Sequence, residues 1–482
     1  MDPTATGFML ADSRNTPMHV GGLSLYQPPA DAGPDYLREL MEFFLSSDQI
    51  APLFHKRPWR GIRSGGQWVW TEDDEFDLEY HVRHAALPRP GRIRDLLEFV
   101  GRVHGNRLSF ERPLWEFYLI EGLEDGRFAT YTKLHHALVD GVSAMRLLQS
   151  TLATDPDQRD LRPPWAATSA TRMAAASTAE AHSRLGGIPT STVRSALAIA
   201  SEAAGIPSAL ARTLGRTVRD QPSSISFAAP KTILNRNITS ARRFAAADWP
   251  LERLRAVGKA TGTSLNDVVL AMCGGALRTL LLDLGALPAT SLVSMVPVGL
   301  KAKEAALAST EGGNAVGSIM VKLGTDLDDP ATRLTSIHAD MLSGKRALSS
   351  MTPLQITAMA GLGNTATVLT PLLRLQGIAR PPYNVVVSNV PGPRRRLYLN
   401  GAELVGTYPV SVPTNGIALN ITCNSYVDQM AFGFTGCRRT VPHLQRLLTY
   451  LEDELTALEV ATGVNAPAPA PRAKRPPRSG KQ

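Results

Sequence analysis

Residues 113–141 read "PLWEFYLIEGLEDGRFATYTKLHHALVDG". Two runs of aromatic and β-branched residues flank "EDG" at 124–126, the pattern of a β-hairpin with a tight turn. The second run ends in His135 and His136. Successive residues of a strand point to opposite faces, so one imidazole is expected to face a cleft while the other packs inward. That geometry argues against a metal ion shared by the doublet, and no H-x-x-x-H spacing or neighbouring cysteine supplies another ligand set. Asp140 follows closely enough to fix the loop or orient an imidazole. Gly141 is expected to permit a turn that a side chain would block, just before the helical pattern "SAMRLLQSTLA".

An imidazole near its ordinary pKa is well suited to take a proton from a hydroxyl at neutral pH. For a single histidine, a hydrogen-bonded core residue beside a structural aspartate is an adequate account. For H-H-x-x-x-D-G as a unit, chance occurrence in a chain of this length is about one in a thousand, so the pattern is taken as functional.

Outward from this stretch, the segment before it alternates helix-like and strand-like runs. "PDYLRELMEFFLSS" and "RIRDLLEFVGRVHG" carry helical spacing of apolar residues, the latter ending at Gly105, and "QWVWTEDDEFDLEYHVRHAAL" looks extended. From 153 to 230 the composition turns rich in Ala, Ser and Pro, and a helical connector is expected there. Its basic residues Arg194, Arg212, Arg216 and Arg219 also allow an amphipathic, membrane-facing helix. Ordered character returns with "DWPLERLRAVGKATG", a helix with Pro250 in its first turn and Gly262 past its end, and with "TSLNDVVLAMCGGALRTLLLDLG". Both halves mix strands and helices. An α/β class is expected, with an N-terminal domain over 1–152, the connector over 153–230, a C-terminal domain over 231–463 and a basic, Pro-rich tail over 464–482.

The net charge of +8 is not a nucleic-acid signal, because Arg472, Lys474, Arg475, Arg478 and Lys481 of the tail account for five of it and leave about +3 elsewhere. Cys273, Cys423 and Cys437 are far apart, which speaks against a disulfide framework or a thiolate zinc site. No apolar run follows Met1, and the apolar stretches at 196–211 and 268–285 are interrupted by Glu202 and by Arg278 and Asp283, so no membrane span is expected. A cytoplasmic place follows, with peripheral contact to an inner membrane or lipid body left open.

"HHALVDG" resembles the HHxxxDG signature of the CoA-dependent acyltransferase superfamily, which includes chloramphenicol acetyltransferases and peptide-synthetase condensation domains. The flanking "FMLADSRNTPMHVGGL" (8–23), "RPLWEFYLIEGL" (112–123), "LNRNITSARRFA" (234–245), "SLNDVVLA" (264–271), "GGNAVG" (312–317) and "SNVPGP" (388–393) occur in the order found in the bacterial wax ester synthase/diacylglycerol acyltransferase family, of the mycobacterial triacylglycerol-synthase type. The resemblance implies two chloramphenicol-acetyltransferase-like α/β domains with a tunnel between them. It implies an O-acyltransferase that moves a long-chain acyl group from acyl-CoA, a co-substrate, to diacylglycerol or a long-chain alcohol, with no cofactor or metal and no covalent acyl-enzyme.

By that resemblance His136 is the proton acceptor, and His135 and Asp140 support it. Ser264 and Asp267 have capping-box spacing at a helix start, while Asn266 has the chemistry to donate to an oxyanion. Asn389 is a further candidate near the site, and Trp115 is expected to pack near the acceptor channel. Pro391 and Gly392 read as a rigid turn that the resemblance puts near the site, with Gly141 structural there too, and Arg394, Arg395 and Arg396 are an exposed charge run with the chemistry to meet CoA phosphates. The alternatives at this level are another acyl acceptor, a carrier-protein donor, or a non-catalytic lipid-binding or storage-body protein on the same fold.

Overall fold

The computed structural model describes residues 1, 3–47, 49–139, 141–166, 229–299, 316–350 and 380–464. Two six-stranded sheets organise it. The first has the order β11-β12-β1-β6-β5-β4, from β1 (His19–Gln27), β4 (Val82–Ala86), β5 (Trp115–Glu121), β6 (Phe128–His135), β11 (Tyr398–Leu399) and β12 (Ala402–Val410). The second has the order β7-β14-β13-β10-β8-β9, from β7 (Arg242–Pro250), β8 (Val293–Gly299), β9 (Val316–Lys322), β10 (Val385–Val390), β13 (Leu419–Tyr426) and β14 (Gln429–Cys437). A separate two-stranded hairpin joins β2 (Lys56–Trp59) to β3 (Val69–Glu72).

The central hairpin is as expected: β5 and β6 pair antiparallel, with Glu116 opposite Lys133 and Trp115 opposite Leu134. Strand alternation then sorts the side chains. Trp115, Phe117, Leu119, Phe128 and Leu134 enter one core with helix α2 (Tyr36–Leu45), the short α3 (Pro52–His55) and Trp165. Tyr118, Ile120, Ala129 and Tyr131 enter a second core, beneath helix α5 (Ile93–Gly105). That second core also takes Phe244 and Ala431 from the other sheet, so α5 lies between the two sheets. Its close approach to β7 rests on Gly101 and Gly105, one helical turn apart. A Cβ at Gly105 would stand 2.6 Å from the Ser240 carbonyl oxygen, and one at Gly101 would stand 3.3 Å from that of Arg242.

The outer face of the second sheet is covered by α7 (Leu251–Thr261), α8 (Leu265–Asp283), α9 (Pro330–Ser349) and α10 (Arg446–Ala461), which share one apolar core with it. In the first half, α1 is Pro3–Ala11, the one-turn α4 is Leu78–His81 and α6 is Gly141–Gln149.

Four expectations change. The extended stretch at 67–87 is split by α4, whose start is capped by the Asp77 side chain accepting from Glu79 N at 3.1 Å. The stretch 231–463 is not confined to one unit, because β11 and β12 leave it to join the first sheet, where Gly21 pairs with Val410 and Gln27 with Glu403. The segment that opens the Ala/Ser/Pro-rich region belongs to the first unit: Ala153 bridges Tyr398, Ile50 bridges Ala166, and Trp165 is buried. The remainder of that region, 167–228, lies outside the described residues, as does all of the tail after 464. Finally, α8 is apolar enough by length and composition to cross a membrane despite Arg278 and Asp283; in this fold 72% of its apolar window is buried, in the core that it shares with the second sheet. Pro250 closes β7 and caps α7, and Gly262 ends α7 in the left-handed conformation at φ 67°.

Candidate active site

His135 is the last residue of β6 and stands opposite His19 of β1. Both edges of the strand end are tied down: His135 N donates to Leu114 O at 3.0 Å, and His136 N donates to Met18 O at 2.8 Å. The chain then turns, with Leu138 N donating back to His135 O at 2.9 Å.

Alternation sends His135 into the α5 side of the sheet, where it is fully buried. Its Nδ1 accepts from Ala137 N at 3.0 Å and its Nε2 lies 3.2 Å from Asp12 Oδ2. An Nδ1 that accepts from an amide carries no proton, so Nε2 holds the hydrogen and donates it to the carboxylate. Asp12 also accepts from Met18 N at 2.9 Å on Oδ2 and from Arg107 Nε on Oδ1. Arg107 in turn lies over the Phe110 ring at 4.2 Å, and Phe110 meets His135 edge-on. Sequence reasoning missed Asp12, although it sits within the quoted "FMLADSRN". A lone aspartate in a loop has no periodicity, and only its burial between an arginine and a histidine marks it.

The next side chain points elsewhere. His136 is partly exposed and stacks on Phe8 of α1, with ring centroids 4.4 Å apart and an interplanar angle of 15°. Around this turn Ala5, Met9, Leu108, Leu114 and Ala137 form a small apolar cluster, joined by Phe8, Phe110, Leu138, Trp68 and Trp70. Asp140 lies outside the described residues. Gly141 begins α6 with open space where a Cβ would be, so the tight turn expected of it is made earlier, at 136–138.

Three other histidines nearby are structural. His19 Nε2 donates to His104 O at 2.7 Å, His104 Nε2 donates to Ser411 O at 2.9 Å, and His104 Nδ1 accepts from Tyr131 Oη at 2.7 Å. His81 Nδ1 donates to Trp115 O at 2.8 Å. Burial holds His104 down to about 3 and His81 to about 4, and lowers His19 well below the ordinary value. On the same face of β6, the buried Lys133 ammonium lies 2.8 Å from Glu116, and burial lowers its pKa against that attraction.

A second group gathers at the start of α8. The capping box is present: Asp267 N donates to Ser264 Oγ at 3.3 Å, and Ser264 N donates to Asp267 Oδ2 at 2.9 Å. The same Oδ2 lies 2.7 Å from His338 Nδ1, so Asp267 is occupied structurally. Asn389 shares its side of the sheet with Cys423, its partner in register, and its Nδ2 reaches Asn266 Oδ1 in a long contact of 3.5 Å. Beyond it, Gly392 N donates to Ser425 Oγ at 3.1 Å, and any side chain at 392 would run into the Ser425 carbonyl. Gly392 is thus fitted closely against the end of β13, and the chain bends at 394–395, after the expected Pro391–Gly392 turn. Of the three arginines that follow, Arg396 is paired with Glu403 at 2.6 Å, while Arg394 and Arg395 are exposed.

Trp115 belongs to neither group. It is fully buried, donates Nε1 to Phe54 O at 2.8 Å, and stacks between His81 and Trp165. A core position with its donor satisfied accounts for it, in place of the substrate contact expected from "PLW".

The model of the wax ester synthase/diacylglycerol acyltransferase catalytic domain matches residues 1–269, more than half of the chain. The chain belongs to that family. The WS/DGAT C-terminal domain matches residues 312–459. A protein of Mycobacterium tuberculosis named as a putative diacylglycerol O-acyltransferase is 46% identical over 96% of this chain and 100% of its own length. The solved wax ester synthase/diacylglycerol acyltransferase of Marinobacter aquaeolei VT8 is 39% identical, covering 96% of this chain and 99% of that one, at a TM-score of 0.73. The first condensation domain of the CDA synthetase, at 17% identity and a TM-score of 0.54, shares the fold. The WS/DGAT chain described here is therefore an O-acyltransferase enzyme with the two-unit α/β fold of its family.

Proposed function

We propose that this WS/DGAT enzyme transfers a long-chain acyl group from acyl-CoA to the free hydroxyl of diacylglycerol, or to a long-chain alcohol, with His136 as general base. The observation that carries it is the contrast within the doublet. Both ring nitrogens of His135 are engaged with Ala137 and Asp12 and the side chain is shut away from solvent, whereas the His136 ring is partly exposed against Phe8 at the strand end. The names of the mycobacterial relatives favour diacylglycerol as acceptor.

His136 takes the hydroxyl proton as the oxygen attacks the thioester carbonyl. The tetrahedral intermediate collapses by breaking the C–S bond, and the departing thiolate takes the proton back from the imidazolium. The ester and free CoA leave with all protons accounted for, and no residue of the chain is acylated. Asn266 is the donor proposed for the developing oxyanion: its carbonyl oxygen accepts from Asn389, which turns its NH₂ group outward from that contact. Asp140 is proposed to hold the loop that carries His136. No cofactor or metal is invoked.

The test is thiol release from a long-chain acyl-CoA with and without diacylglycerol. His136→Ala should lose roughly 10²- to 10⁴-fold in turnover while keeping its thermal unfolding profile. Retention of most of the activity would overturn the assignment.

A further inference from the structure

The β2–β3 hairpin carries a surface that the acyl-transfer site does not use. Its tip, "WRGIRSGGQW" at 59–68, holds Arg60 and Arg63 and no acid, and the nearest carboxylates start at Glu72. Ile62, at the apex, is 99% exposed, farther out than any other large apolar side chain among the described residues. Trp59 and Trp68 flank it, half-buried, with the Arg60 guanidinium over the Trp68 ring at 5.9 Å.

The apex is also closed upon itself. Gly65 N donates to Ile62 O at 3.0 Å, Gly66 N to Gly61 O at 3.0 Å and Gly61 N to Ser64 Oγ at 3.2 Å, while Ser64 Oγ donates to Gln67 O at 2.7 Å and Arg60 Nε to Gly66 O at 2.6 Å. A turn that pairs the Gly61, Ser64, Gly65, Gly66 and Gln67 amides internally strands fewer polar atoms on entering an interfacial region. Lone exposed isoleucines are ordinary on soluble surfaces. An isoleucine held at the apex of a rigid turn, between two tryptophans and two arginines, matches the composition that favours the headgroup layer: apolar tip, amphipathic rings and cations beside anionic lipid.

The β3 side of the hairpin, from the base of the tip, leads to the site. Trp68 and Trp70 pack on the cluster formed by Ala5, Met9, Leu114 and Ala137, beside Phe8, whose ring covers His136.

We propose that the β2–β3 tip docks the enzyme on an anionic lipid surface, inserting Ile62 with Arg63 and Arg60 on headgroups, so that the acceptor is collected from the bilayer beside the turn that carries His136. The proposal rests on a lipid acceptor and is independent of which histidine is the base.

The experiment uses the full chain and phosphatidylcholine vesicles with and without phosphatidylglycerol. The parent should sediment with the anionic vesicles, and Ile62→Asp/Arg63→Glu should bind them about tenfold or more weakly, with unchanged thermal unfolding. Turnover of diacylglycerol presented in those vesicles should fall in parallel, while turnover of detergent-dispersed diacylglycerol stays at the parent level. His136→Ala should bind vesicles as the parent does, which separates a failure of docking from a failure of the base assignment. Three results overturn the proposal: a parent that ignores anionic vesicles, a double variant that binds like the parent, or an equal loss in vesicles and detergent.

Discussion

Asp12 and His135 meet at 3.2 Å with both side chains fully shielded from solvent, 123 positions apart in the chain. The contact links the loop after α1 to the end of β6, and Arg107 completes it on the other carboxylate oxygen. The buried carboxylate is matched by these partners together, and removing one member leaves the others unmatched.

Asp12→Asn keeps the shape and removes the charge. It should lower stability by about 3 kcal/mol, in the range for breaking a buried pair, and should reduce turnover by about 10²-fold through a displaced His136 turn. Urea unfolding and steady-state kinetics check this. As a positioning residue, Asp12 should act mostly on kcat; a variant with parental stability and only a raised KM would contradict that role.

Acid stability should be governed by the buried neutral histidines. His19, His81 and His104 are all held below the ordinary value, by burial first, and for each of them nearby cations add to it. The unfolded chain binds protons below about pH 6.5 that the folded chain refuses, so stability is present above that pH and falls as the pH drops. The slope should approach about 4 kcal/mol per pH unit for three such groups. Urea midpoints should be flat from about pH 8 to 7 and fall from about 6.5 to 5, and His104→Gln should flatten the fall by about one proton.

Much of this arrangement is legible in the residues, and what is not has a common cause. The β5–β6 hairpin follows from alternation around "EDG", and the Ser264–Asp267 box follows from a spacing of three, because both are local. The split of the histidine doublet is also local, since it needs only a strand that ends there. The place of β12 beside β1 is not, because Gly21 finds Val410 only in three dimensions. Trp165 is hidden for a related reason: one tryptophan in a Pro- and Ala-rich stretch carries no period, yet it fills the core between Phe44, Trp115 and Phe117. Asp12 carries no motif signal and Trp115 carries one, yet Asp12 is buried against the site histidine and Trp115 in the core.

The seam between the two sheets should be sensitive to volume at one residue. Gly105 faces the Ser240 carbonyl with no room for a Cβ, whereas at Gly101 a Cβ would require its neighbours to give by only a few tenths of an ångström. Gly105→Val should cost about 1–3 kcal/mol and should reduce turnover, because it prises α5 from β7; Gly101→Ala should be milder on both counts. Unfolding and kinetic measurements on the two variants decide it. A neutral Gly105→Val would mean that α5 and β7 separate freely.

The start of α8 offers a clean separation of structure from chemistry. Ser264 caps the helix through Asp267 N, and Asp267 answers through Ser264 N, so this pair serves the backbone. Asn266, between them in sequence, spends its side chain on Asn389. Ser264→Ala should therefore lower stability by about 1 kcal/mol and leave turnover nearly intact. Asn266→Ala should do the reverse, with parental unfolding and turnover reduced by roughly 10²-fold if its amide meets the oxyanion. Asn389→Ala, which only frees that amide to rotate, should give a smaller loss. The double variant should add little to Asn266→Ala alone, since the two amides act through one contact. Losses that multiply fully in the double variant would assign Asn389 a separate task.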